Sequence, residues 1–250
     1  MPLVDWIYVV LLLVGATVYE YLYFWPRFRA AVAAEHAGAR LRAYRRGVIG
    51  QWLFAGAALA IWATHGRSRE LLGLVTPHGW RLGVGIGVVL ASVAFLALQL
   101  WSVLRLPAAR RIAARPKLGT LAFMVPHTAR EEGWFVALSL TAGFCEELLY
   151  RGYLPWFFTP WLGRPLAMLF VVVVFGLSHL YQGRNGAIKA TMAGAVMAGI
   201  VLATGSLIPA MIAHAVIDIG GGTVGYLLLR DQLLSGSAAP AASASRIQGG

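Results

Sequence analysis

Seven stretches of the chain, at about 6–25, 48–64, 82–104, 133–157, 162–180, 187–204 and 207–229, are nearly uninterrupted runs of apolar residues. Each is close to the ~20 residues that a helix needs to cross the ~30 Å hydrocarbon layer of a bilayer. No water reaches backbone N–H and C=O groups in that layer, so each run must satisfy them internally, as a helix. Composition agrees: 59% of the residues are hydrophobic, 12% are charged, and the mean hydropathy is +0.69. Soluble domains carry roughly 25% charged residues, and 12% cannot cover the surface of a soluble enzyme. A disulfide scaffold is excluded because Cys145 is the only cysteine. The expected fold is all-α, a polytopic transmembrane helical bundle of about seven spans.

The net charge of +11 does not point to nucleic acid, because the basic residues lie between the apolar runs. With seven spans, sixteen of them fall on one side of the membrane and only Arg67, Arg69, Arg81 and Arg164 on the other, with Arg151 inside a run. The positive-inside rule then places the N-terminus outside and the C-terminus in the cytoplasm, with a bacterial inner membrane as the expected location. The first run has no basic n-region and no small-residue cleavage site, which marks a retained helix. The Arg-rich stretches 35–46 and 107–117 suit either interfacial helices or solvated loops. The Ser-, Ala- and Gly-rich tail at 235–250 is expected to be disordered. The expected division is an N-terminal three-helix region with basic loops (1–132), a four-helix core (133–229) and the tail (230–250).

Ionisable residues inside apolar runs are costly and rare, and they usually serve function. Here they are Glu20, Glu146, Glu147, Arg151, His179, His214 and Asp218. Adjacent residues on a helix point about 100° apart, so Glu146 and Glu147 cannot share a direction. Arg151 is four residues beyond Glu147, on the same face, which suits an ion pair holding Glu147 as a carboxylate. Glu146, left without a local cation, is a candidate general base. His214 and Asp218 are also four apart and share a face. Glu20 lies among Tyr and Trp residues and reads as a membrane-interface residue. Tyr153, Trp156, Phe157, Phe158 and Trp161 read as an aromatic belt. The glycines at 220–222 would permit close packing or a kink.

Glu146-Glu147-x-x-x-Arg151, Phe175-x-x-x-His179 and His214-x-x-x-Asp218, in that order, resemble the three-motif signature of the CPBP intramembrane protease family. That family includes type II CAAX prenyl endopeptidases and Abi-like bacteriocin-processing and immunity proteins. The resemblance covers residues 133–229. It implies that Glu146 and His179 activate the attacking water and that Glu147 and Arg151 support the site. It also implies that His214 and the residue four later stabilise the oxyanion. That last position is often asparagine in the family and is Asp218 here; an ionised aspartate has no proton to donate, so it would be protonated or act through His214.

Two chemistries draw on the same residues. In one, glutamate and histidine activate a free water and no cofactor is needed; in the other, Glu146, His179 and His214 bind zinc. The absence of a His-Glu-x-x-His helix favours the first, and no nucleotide, haem or flavin is implied. The leading expectation is an intramembrane endopeptidase acting on a membrane-associated or lipid-modified protein or precursor peptide at the bilayer. The alternatives are a non-catalytic immunity or binding protein and a proton-coupled transporter. The transporter expects paired, broken-helix halves, and none is visible. One tension concerns depth: with straight, level helices, Glu146, His179 and His214 would sit at different heights. Tilts, shifted helix ends or a break near residues 220–222 would be needed.

Overall fold

A computed structural model describes residues 1–236, apart from a few side chains, and every regular element among the described residues is helical. The long helices are α1 (Leu3–Ala33), α2 (Ala39–Thr64) and α3 (Trp80–Arg105). A short α4 (Ala108–Ala114) follows, leading into a 3-10 segment, Arg115–Leu121. Next comes a 50-residue helical run, Ala129–Ser178, then α7 (Arg184–Thr204) and α8 (Ile208–Gly236). By length and hydropathy six of these helices can cross a membrane, so the chain is an integral membrane protein.

The 50-residue run cannot be one span, since at 1.5 Å per residue it would be about 75 Å long. Gly163, between Pro160 and Pro165, leaves the helical conformation at φ 70°, ψ 156°. The chain reverses there. Phe158 meets Phe170 at 4.9 Å and Tyr150 meets Phe175 at 5.0 Å, pairs roughly equidistant from Gly163 that no straight helix could bring together. The run is therefore a hairpin of α5 (129–162) and α6 (164–178), which makes seven spans. Thr128 caps α5 by accepting from the Glu131 N–H at 3.1 Å, while the Glu131 carboxylate accepts from the His127 N–H at 2.8 Å, a reciprocal arrangement close to a capping box.

α5 lies at the centre, packed against α2 and α8; α8 also packs on α3, and α7 on α6. Several expectations change here. Of the 107–117 stretch, 108–114 forms the separate helix α4, whereas most of 35–46 belongs to α2. α8 stays helical through residues 220–222 and on to Gly236, past the expected boundary at 229. The tail beyond 236 lies outside the described residues. The expected aromatic belt is largely core, because Tyr153 and Phe157 are fully buried and Trp161 is the strongly exposed member.

Tyr153 is buried for a reason invisible in its local sequence. Asp5 in α1, with no exposure, accepts two hydrogen bonds from Arg67 at 2.8 and 2.5 Å and a third from the Tyr153 hydroxyl at 2.5 Å. The Arg67 guanidinium also lies 4.4 Å from the Trp156 ring. This cluster ties α1, the α2–α3 connection and α5 together. Removing one partner of a buried pair leaves the other charge uncompensated. Arg67→Ala should therefore lower stability by about 3–5 kcal/mol, measured as unfolding in mixed detergent micelles. An unchanged midpoint would show that the cluster is not what fastens α1.

Candidate active site

Glu146 and Glu147 end the regular part of α5, immediately before a π-helical segment, Leu148–Tyr153. Such π segments are rare and often mark functional sites. The two carboxylates diverge as helical geometry requires. Glu147 turns inward: its Oε1 is 3.1 Å from Arg151 Nη1 and 2.7 Å from His214 Nδ1, and its side chain is 0% exposed. Arg151, at 1% exposure, is held by that carboxylate and by the Phe175 ring, 4.3 Å from its guanidinium. Room for it comes from α7, where a methyl group at Gly194 would sit 2.8 Å from Arg151 Nη2.

Glu146 turns the other way and is 19% exposed. Its Oε1 accepts a 2.9 Å hydrogen bond from the Gln51 amide of α2. Its Oε2 lies 3.9 Å from His214 Nε2, which is also 3.5 Å from Asp218 Oδ2. The imidazole is thus anchored at Nδ1 by a sealed carboxylate, while Nε2 faces two accessible ones. Asp218 is 40% exposed, at the open edge of the group.

Contact between α5 and α8 requires a very close approach. A Cβ on Gly143 would lie 2.6 Å from the Met211 carbonyl oxygen and 2.7 Å from Ala215 Cβ. The depth problem is resolved by helix offset, not by a break. Glu147 lies about 22 Å below the Gly163 end of α5 and His214 about 9 Å below the start of α8, so α5 reaches well past α8 at that face.

His179 ends α6. Its Nδ1 is bound to the Phe175 carbonyl at 2.8 Å and to Ser178 Oγ at 3.2 Å, and among the described residues no hydrogen bond joins it to either glutamate. Its ring and that of His214 both neighbour Phe175, with centroids 4.5 Å and 6.4 Å from that ring. Beyond it lies Tyr181, stacked on Trp25 of α1 at 3.7 Å. Burial pushes the Tyr181 phenol above its ordinary range, so it stays a neutral hydroxyl. Among the described residues no group of three or more His, Cys, Asp or Glu side chains is placed to hold a metal ion.

Five of the six motif residues thus form one continuous polar group, with His179 beside it. Sequence reasoning missed Gln51, because its filter admitted only ionisable residues; a buried amide in an apolar run carries the same signal. It also missed Gly143 and Gly194, whose role lies in what they leave empty. Glu20, read as an interface residue, interacts electrostatically with both Glu146 and Arg46, which puts it on the site's side of α1. Gly143→Ala should force α5 and α8 apart, cost about 1–3 kcal/mol and reduce activity. Gly199→Ala, where a Cβ meets nothing within 4 Å, should leave both unchanged. Thermal melts and cleavage assays on the two variants compare them directly, and equal behaviour would refute the close-packing account.

Comparison with known proteins adds one finding. Residues 130–220 match the family model described as type II CAAX prenyl endopeptidase Rce1-like. No significant match was found among curated proteins or solved structures. The matched segment contains Glu146, Glu147, Arg151, His179, His214 and Asp218, so over this part of its length this integral membrane chain is similar to type II CAAX prenyl endopeptidases of the Rce1-like kind.

Proposed function

We propose that the protein is an intramembrane endopeptidase that hydrolyses a peptide bond in a membrane-associated or lipid-modified protein or precursor peptide, with Glu146 as general base. The observation that carries this reading is the contrast between neighbours. Glu147 is sealed at 0% exposure by Arg151 and His214, whereas Glu146 is 19% exposed and, among the described residues, has no cation within ion-pair distance except the His214 imidazole. The second carboxylate is open and the first is closed off.

In this mechanism Glu146 takes a proton from a water molecule, and the hydroxide oxygen forms a bond to the scissile carbonyl carbon. With Glu147 ionised beside Arg151, His214 Nδ1 carries a proton and donates it to Oε1. When the ring is an imidazolium, Nε2–H is free to donate to the developing oxyanion. Asp218, at 3.5 Å from Nε2, supports that charge instead of donating itself, which accounts for an aspartate at this position. Collapse of the intermediate breaks the C–N bond, and the amine leaves with the proton held by Glu146. Gln51 orients Glu146. His179, beside Phe175, is the partner that completes the water site when substrate is bound. The excess of basic residues on one side supports a cytoplasmic C-terminus and an outside N-terminus.

Glu146→Gln should abolish cleavage while the protein still inserts and melts as the wild type does. Mass-spectrometric mapping of new peptide termini in membranes, at matched expression of wild type and variant, measures this and identifies the substrate. Identical termini in both would sink the assignment and favour a binding or immunity role. The glutamate-type mechanism further expects the purified protein to keep cleaving the identified substrate after chelation. Loss of cleavage that zinc restores would replace it with a metal-dependent one.

A further inference from the structure

A second cluster of charged groups lies away from the motif residues, between α1 and α2 near the turn that joins them. There Tyr19 and Tyr23 stack on one another, 6.0 Å apart and 14° from parallel. The Arg46 guanidinium lies 4.7 Å from the Tyr19 ring and 4.3 Å from Phe24, and that of Arg27 lies 5.0 Å from Tyr23. Arg42, one helical turn before Arg46, donates to the Ala37 carbonyl at 2.8 Å. These side chains line a cleft of about 390 Å³, within the size range of small-ligand sites.

Three features distinguish the cleft from an ordinary basic loop. Among the described residues no carboxylate lies within ion-pair distance of Arg27, Arg42 or Arg46; Glu20 interacts with Arg46 only at longer range. The ring contacts restrain two of the guanidinium planes, so less side-chain freedom is lost when an anion is gripped. The adjoining surface of α1 is apolar and outward-facing, with Leu22 60% and Val18 47% exposed, a track for hydrocarbon directly beside the cationic cleft.

We infer that this cleft binds the phosphate of one anionic phospholipid headgroup, with its acyl chains lying along α1. Planar guanidinium forks match phosphate oxygens in bidentate geometry, and restrained arginines at a membrane surface favour an anionic over a zwitterionic headgroup. The site is independent of the proteolytic reading, since none of its residues belongs to the catalytic group.

The test is native mass spectrometry of the full chain in detergent, titrated with phosphatidylglycerol or with phosphatidylcholine bearing the same acyl chains. The wild type should retain one phosphatidylglycerol with about tenfold preference over phosphatidylcholine. Arg27→Gln/Arg42→Gln/Arg46→Gln should bring the two within about twofold. Should the triple variant fail to fold, Arg42→Gln alone serves, because Arg42 is exposed and among the described residues bonds only to the adjoining turn; it should cost about threefold in preference. An undiminished preference in the folded variant, or non-saturable uptake by the wild type, would overturn the site. Glycerol 3-phosphate should compete poorly. If it displaces the lipid at equal concentration, the ligand is a soluble phosphate and the lipid assignment fails.

Discussion

A single buried carboxylate organises the centre of this protein. Glu147 has no exposure and is surrounded by apolar helices, where an unpaired charge costs several kcal/mol or more. It is retained because Arg151 and His214 both reach it, at 3.1 and 2.7 Å. These two partners come from different helices, so meeting the requirement of one side chain fixes α8 against α5. It also fixes the rotation of the His214 ring, and with it the direction of Nε2. The accessible groups, Glu146 and Asp218, are arranged around a nitrogen whose position was set from the sealed side.

Such an arrangement tolerates little spacing error, and the fold removes atoms where tolerance is least. Gly143 lets α5 reach the backbone of α8, and Gly194 leaves room on α7 for the Arg151 guanidinium. Phe175 then closes the remaining side of that guanidinium with a ring face instead of a second carboxylate. A second acid there would compete for Arg151 and weaken its hold on Glu147, whereas a ring contributes attraction without changing the charge balance. At one end of α1, the Asp5–Arg67–Tyr153 cluster applies the same rule. A buried acid is matched by a bidentate arginine and a hydroxyl, and the result is attachment, with no water-accessible carboxylate to do chemistry.

Much of the architecture follows from chain composition. All seven runs became helical, because lipid offers the backbone no other solution. The fourth and fifth runs are separate in the sequence, at about 133–157 and 162–180, whereas in the structure one helical run of 50 residues passes through both and leaves the helical conformation at Gly163. Tyr153 was misplaced as a belt aromatic, and Arg67 was read as a loop cation with no sign of its buried partner, because each looks ordinary among its sequence neighbours. Their partner Asp5 lies 62 and 148 positions away, and no local pattern reports that distance.

In the site, helical periodicity alone determined that Glu146 and Glu147 diverge, that Arg151 can serve only Glu147, and that His214 and Asp218 share a face. These are consequences of 3.6 residues per turn. Periodicity could not determine which glutamate is sealed, since that depends on which helix packs against which face. Nor could it identify Gln51 as the donor to Glu146, or set the relative heights of α5 and α8. Those were decided by tertiary packing: the overhang of α5, the missing side chains at Gly143 and Gly194, and the need of one buried carboxylate for partners from two helices. Spacing along a helix is an intrinsic property of the chain; the rotation and height of one helix against another are settled only when buried charges and packed surfaces are satisfied together.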